Sequence, residues 1–241
     1  MTSTFRFCAQ RGIDNLQLVI EMRRPIRSFV RRAGRMTSAQ ERALSTLWPR
    51  YGVDVESVLD LEALFGRQAE KHLEIGFGSG DALVTMASSH PEHDYLGIDV
   101  HRPGTGHLLM EIEAAQLTNV RVICADAVEV LQDGIPSQSL DAVYVFFSDP
   151  WHKKRHHKRR LIQPDFLKLL ANRMKSGSYL HLATDWQDYA EYQLQVLEAD
   201  PEFINCTSGF AERPAERPLT KFEQRGLRLG HNVWDLLYQR Q

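Results

Sequence analysis

Lys71 to Asp81 reads K-H-L-E-I-G-F-G-S-G-D, a short apolar-centred run that passes straight into glycines at 76, 78 and 80. Lys71–Ile75 has the composition of a strand, and Ala82–Ser88 that of a helix. The glycines between them permit a tight turn and leave backbone that a ligand can approach without meeting a Cβ. Strand, glycine-rich turn and helix in that order open an α/β fold whose ligand rests on the first turn.

The same alternation continues outward. Tyr95–Val100, Val120–Cys124, Ala142–Phe147 and Tyr179–Ala183 read as strands, with helices over Leu108–Leu117, from Pro164 and over Trp186–Leu197. Phe203–Thr207 and Val233–Tyr238 are late strand candidates, and residues 37–67 hold one or two helices broken at Trp48-Pro49. Ala211–Pro218 repeats A-E-R-P, and its prolines predict an extended loop. The expected architecture is a doubly wound, mainly parallel α/β sheet with an N-terminal helical and basic extension. Residues 1–36 form that Arg-rich, partly flexible extension, and 37–241 a single domain. With 43% hydrophobic residues in 241, one core suffices.

A net charge of −2 conceals an uneven distribution. Residues 1–35 carry eight Arg against Asp14 and Glu21, a local +6 that leaves −8 for the rest. Such polarity points to an anionic partner on one face. Although Arg-rich and acid-poor, the N-terminus runs directly into helix-like sequence, unlike a transit peptide. Three widely spaced cysteines, Cys8, Cys124 and Cys206, suit a reducing, cytoplasmic setting. No apolar run approaches a membrane span.

The acids Asp99, Asp126, Asp149 and Asp185 each fall at or just after an expected strand end, where ligands of such sheets gather. Asp81 occupies the position of the third glycine of a dinucleotide fingerprint, and a carboxylate there repels a phosphate on the helix N-terminus. That argues against an oxidoreductase. A cofactor without phosphates and with positive charge fits better. S-adenosylmethionine is such a molecule: Glu74 would attract its sulfonium and ammonium, Asp99 its ribose hydroxyls and Asp126 its adenine amino group.

Asp149 to Arg160 reads D-P-W-H-K-K-R-H-H-K-R-R, placing one carboxylate and Trp151 ahead of Lys153, Lys154, Arg155, Lys158, Arg159 and Arg160. These cations, with Arg23, Arg24, Arg27, Arg31, Arg32 and Arg35, are candidates for tracking phosphates. Trp151 either stacks on a base or packs beneath the basic segment. His152, His156 and His157 have metal-like spacing, but no Cys or carboxylate completes a set and the neighbouring cations repel an ion, so no metal is expected. Asp185 is either a helix N-cap or a substrate contact, and Thr220 to Glu223 has capping-box spacing.

The segments H-L-E-I-G-F-G-S-G (72–80), F-F-S-D-P-W-H-K-K-R-H-H-K-R-R (146–160), A-T-D-W (183–186) and T-K-F-E-Q-R-G-L-R-L-G-H-N-V-W-D-L (220–236) resemble the bacterial tRNA (guanine-N7)-methyltransferase family. I-R-S-F-V-R-R-A-G-R-M-T (26–37) is also similar to that family, so the resemblance spans about Ile26–Gln241. It implies a Rossmann-like class I methyltransferase fold, S-adenosylmethionine as donor and guanosine 46 of the tRNA variable loop as target. By motif match it implies cofactor contacts at Glu74, Asp99, Asp126 and Asp149 beside Gly76, Gly78 and Gly80, with Asp149 also catalytic. It implies substrate contacts at Lys153, Asp185, Thr220, Lys221, Phe222 and Glu223. Arg155, His156, His157, Lys158, Arg159 and Arg160 correspond to its RNA-contact segment.

Two positions depart from the pattern: Ser148 stands where the family often has Pro, and Asp99 where it often has Glu. Guanine N7 carries an in-plane lone pair and no proton, so Asp149 is expected to orient and stabilise the base rather than remove a proton. A monomer or weak homodimer is expected. The rival readings are a methyltransferase of a non-RNA substrate, which leaves the Arg-rich segments unused, and a non-catalytic RNA-binding module, which leaves the acids unused.

Overall fold

Short apolar runs that are buried on both faces form the centre of one seven-stranded sheet. Its strands are β1 (Lys71–Ile75), β2 (Asp94–Ile98), β3 (Val120–Ile123), β4 (Leu140–Phe146), β5 (Met174–Thr184), β6 (Phe203–Asn205) and β7 (Trp234–Arg240). The structure is a computed structural model and describes residues 27–29, 34–228, 230 and 232–241. The sheet order is β3-β2-β1-β4-β5-β7-β6. Strands β1 to β5 pair in parallel, whereas β7 runs antiparallel to both β5 and β6. This is the expected doubly wound, mainly parallel sheet. The chain winds outward from β1 through β2 to β3, then restarts at β4 on the other side of β1. The crevice at the carboxyl ends of β1 and β4 is therefore the switch point where ligands bind.

The described helices are α1 (Ser38–Thr46), α2 (Trp48–Tyr51), α3 (Leu61–Phe65), α4 (Asp81–Ser89), α5 (Arg102–Ala114), α6 (Ala127–Asp133), α7 (Pro164–Arg173), α8 (Gln187–Glu198) and α9 (Lys221–Arg228). Leu73, Ile75, Val143 and Val145 pack on one side of the sheet with Phe166, Leu167 and Leu170 of α7. On the other side Phe77, Tyr95 and Phe146 pack with Leu83 of α4 and Leu108 of α5.

Several elements differ from the sequence expectation, each for a local reason. Residues 37–67 hold three helices, the first closed by a reciprocal capping box between Thr37 and Gln40. Helix α5 begins at Arg102 rather than Leu108, because the His101 ring accepts the Gly104 N–H at 3.2 Å and Pro103 suits a first turn. Helix α6 was not anticipated; Asp126 caps it, accepting the Val128 N–H at 3.1 Å. Trp186, not Asp185, occupies the N-cap of α8, and no side chain caps that helix. Most of the 1–36 extension, including Arg23, Arg24, Arg31 and Arg32, lies outside the described residues.

Candidate active site

The first turn opens a cradle. Gly76 and Gly78 have φ of +80° and +58°, and a Cβ added at either would meet nothing within 4 Å. At Gly80 an added Cβ would instead strike Leu108 at 2.5 Å, so the third glycine serves the approach of α5. A ligand can therefore lie on bare backbone at 76 and 78.

Glu74 points into this region from β1. It is only 3% exposed, and its Oε2 is buried without a hydrogen-bond partner. Burial, with a smaller push from the Asp99 charge, raises the Glu74 carboxyl from its ordinary 4.5 to about 8. An orphaned acidic oxygen beside open backbone suits a cationic ligand group. Asp99 braces the loop while each oxygen keeps a further lone pair: its Oδ2 accepts the Gly78 N–H at 2.8 Å, and its Oδ1 the His101 N–H at 2.9 Å. The short side chain thus ties the glycine turn to the start of α5. Asp126 is buried and uses one oxygen as the α6 cap, leaving the other for a ligand.

Asp149 sits on an unusual turn after β4. Phe147 and Trp151 on either side of it have φ of +54° and +49°, a region that non-glycine residues enter at a cost of about 1–3 kcal/mol each. Such strain persists only where neighbours enforce it, and here Phe147 donates its N–H to Ala183 O of β5 at 2.8 Å. The turn leaves the Asp149 side chain exposed. It lines a cavity of about 960 Å³ together with Gly78, Cys124, Trp151, His152, Lys153 and His156. A second cavity of about 250 Å³ shares Gly78 and is lined by Glu74, Gly76, Phe146, Phe147 and Thr220. The two hollows meet at the glycine turn.

The basic run divides in two. Lys154–Arg159 forms a 3-10 helix on which Lys154, Arg155 and Lys158 are exposed, as is Lys153 before it. Arg160, expected among the phosphate contacts, is instead 3% exposed. It pairs with Asp188, lies 5.0 Å from the Tyr189 and Tyr192 rings and donates to Pro150 O at 3.0 Å. Arg159 is half-buried and donates to the main-chain oxygens of Arg27 and Phe29 at 3.0 and 2.8 Å. Both arginines therefore shape the run rather than extend from it. Arg27 itself pairs with Glu129 at 3.2 Å.

Trp151 takes the packed alternative. Its indole N–H donates to Ser28 O at 2.9 Å, and the Arg159 guanidinium covers its ring at 4.1 Å. The aromatic surface left open is Trp186, 41% exposed and in edge contact with His152 at 4.0 Å between ring centroids. In the sequence Trp186 belongs to an expected helix and to the A-T-D-W segment, neither of which assigns it a contact; its place immediately after a strand-end acid is the available signal.

Thr220 accepts the Glu223 N–H at 3.1 Å, as the capping-box spacing predicts. The reciprocal half is absent, because both Glu223 oxygens take the Arg217 guanidinium at 2.6 Å. Arg217 also lies 2.6 Å from Asp235, whose Oδ1 is 2.7 Å from His181 Nε2. This fully buried cluster sits 5.9 Å from the Phe146 and Phe147 rings and holds the A-E-R-P loop and α9 against the floor of the smaller cavity. Arg217 looks like a loop residue in the sequence, where a lone arginine between prolines gives no sign of burial. The side chains of Lys221 and Phe222 lie outside the described residues.

Comparison with known proteins identifies the family and the fold. A family model described as "Putative methyltransferase" matches residues 68–236. A protein of Nitrosospira multiformis named tRNA (guanine-N(7)-)-methyltransferase is 56% identical over 218 residues, covering 90% of this chain and 95% of that protein. One of the same name from Methylobacillus flagellatus is 57% identical over 231 residues, covering 95% and 97%. Among solved structures, the 16S rRNA methyltransferase KamB superposes with a TM-score of 0.59 at 17% identity, over 79% of this chain and 97% of that one. That likeness establishes the shared Rossmann-like class I methyltransferase fold.

Proposed function

This chain belongs to the tRNA (guanine-N7)-methyltransferase family, and from that premise we propose that it methylates N7 of guanosine 46 in the tRNA variable loop with S-adenosylmethionine as donor. The observation that carries the reading is the pairing of a buried, unpartnered Glu74 oxygen with an exposed Asp149 across one glycine turn. Glu74, Gly76, Gly78, Asp99 and Asp126 would hold the donor, which when bound supplies an electrophilic methyl group on a sulfonium. Phe146 and Phe147 line the Glu74 side with apolar surface, which would strengthen the carboxylate's attraction for a cation once a bound donor displaces water.

The acceptor needs no general base. N7 presents its lone pair in the plane of the ring, and the product base carries positive charge. Asp149 would accept from a guanine N–H edge, fix the ring for in-line attack and stabilise that charge. Trp186 and His152 offer an aromatic surface for a splayed base. Lys153, Lys154, Arg155 and Lys158 would grip the surrounding phosphates.

Incubation with methyl-labelled S-adenosylmethionine and total tRNA, followed by nucleoside analysis, tests the reading. Label in 7-methylguanosine at position 46 is expected. Label in protein or a small metabolite, or RNA retention without transfer, would replace it with one of the rivals.

Replacing Lys154, Arg155 and Lys158 by Ala is expected to flatten the dependence of log affinity for tRNA on log salt by about 2–3, since each neutralised phosphate contributes about 0.7–0.9 to the slope. Filter binding from low to moderate salt measures it, and an unchanged slope would remove these residues from the interface.

Donor affinity should rise with pH as Glu74 loses its proton through about 8, and the Glu74→Gln variant should lose that component. The sign for stability is opposite. A folded-state value raised above the ordinary 4.5 contributes stability that is present below 4.5 and lost as pH rises through about 8. Glu74→Gln should therefore gain stability relative to wild type across that window in the ligand-free protein. Titration calorimetry and thermal melts at several pH values read both effects.

A further inference from the structure

At the other end of the sheet, two histidines and a glutamate converge where β1 and β2 begin. Glu70 immediately precedes β1, His72 lies in its second position, and His93 ends the turn that leads into β2. Glu70 Oε2 is 3.4 Å from His72 Nε2 and 3.3 Å from His93 Nε2, and all three atoms fall within 4.8 Å of one another. Charged nitrogen–carboxylate hydrogen bonds close to about 2.7–2.9 Å, so these separations are long for direct pairing. They match the edge of a tetrahedron around an ion with bonds of about 2.0–2.1 Å, which is about 3.3–3.4 Å.

The surroundings also suit an ion. Tyr144 Oη is 3.0 Å from His72 Nδ1; a proton held there and donated to the hydroxyl leaves the Nε2 lone pair facing Glu70 and His93. Metal-bound imidazoles are commonly oriented in this way by their second nitrogen. The His72 and His93 rings lie against each other at 4.4 Å between centroids. Asn119 fixes the turn by donating to the main-chain oxygens of Ala87 and His93, both at 3.0 Å. Glu92 Oε1 lies 3.8 Å from His93 Nε2 but is held by His90 Nδ1 at 3.1 Å, so water would complete the ligand set. Two neutral imidazoles and the Glu70 carboxylate reduce a divalent charge to a net +1.

We propose that Glu70, His72 and His93 form a binding site for a divalent transition metal of the zinc type, which fastens the starts of β1 and β2 together. This departs from the expectation of no metal, which weighed only the His152–His157 run. The methyl-transfer crevice lies at the carboxyl ends of the strands, so the ion would stabilise the sheet without entering the reaction.

The test uses the untagged, full-length protein, stripped with chelator and titrated with Zn²⁺ and, separately, with Co²⁺. One equivalent should bind, Co²⁺ should give the intense visible absorption of a four-coordinate site, and Zn²⁺ should raise the melting temperature with tRNA methylation unchanged. Glu70→Gln alters an exposed carboxylate and leaves the core intact; it and His93→Gln should each weaken Zn²⁺ binding at least about tenfold. Tyr144→Phe should weaken it by about 10–100-fold, the effect of losing an outer-shell partner. Failure to bind one equivalent, or undiminished affinity in the Glu70→Gln/His93→Gln double variant, would overturn the proposal; the second result would place the ion away from the starts of β1 and β2.

Discussion

Asp149→Asn should lower kcat for tRNA methylation by about 10²–10³-fold while donor affinity changes little. The substitution keeps the shape of the side chain and removes its charge. In the proposed reaction the guanine ring becomes cationic as N7 forms its new bond, so the charge interaction strengthens towards the transition state, and its loss falls on kcat rather than KM. Asp149 is well placed for this role because it has no hydrogen bond or ion pair among the described residues and faces the larger cavity. The strained backbone at Phe147 and Trp151 keeps the carboxylate exposed instead of folding it against the sheet. Single-turnover rates with saturating tRNA, together with calorimetric titration of S-adenosylhomocysteine, separate the two effects. Unchanged turnover would remove Asp149 from the mechanism.

The second large effect concerns Arg217. Arg217→Met leaves Glu223 and Asp235 buried without their cation, a change that typically costs about 3–5 kcal/mol. For a chain of this size that corresponds to a fall in melting temperature on the order of 10 °C. Thr220 and α9 should loosen with it, raising KM as the roof over Phe146 and Phe147 opens. Adding Glu223→Gln to Arg217→Met should recover part of the stability, because the second change removes one of the stranded charges. A double variant no more stable than the single one would mean that packing of the long side chain, not charge pairing, holds the loop. Thermal melts of the three proteins decide between them.

How much of this was legible in advance differs from residue to residue. Glu74 and the glycines at 76 and 78 were readable because a strand followed by G-x-G permits few other backbones. The strand-end positions of Asp99, Asp126, Asp149 and Asp185 followed from the alternation of apolar runs. Ser148, the departure from the family pattern, faces Tyr189 Oη at 3.3 Å, a contact that no local pattern announces. Arg160 read as one more cation in a run, yet its burial depends on Tyr189, Tyr192 and Asp188 of α8, about thirty residues away. Trp151 was equally open until the described part of the N-terminal segment came to rest on it through Ser28.

The amino-acid sequence by itself determined the α/β class, the order of the strands along the chain, the glycine cradle and the acids at the strand ends. Those features arise from local periodicity and backbone freedom, which act over a few residues. Tertiary structure decided which carboxylate stays unpartnered, which cations remain free to meet RNA, and how Arg217 gathers Glu223, Asp235 and His181 into one buried cluster. Burial and pairing join groups far apart in the chain, and a charge acquires its role only when the fold has fixed what water and which neighbours surround it.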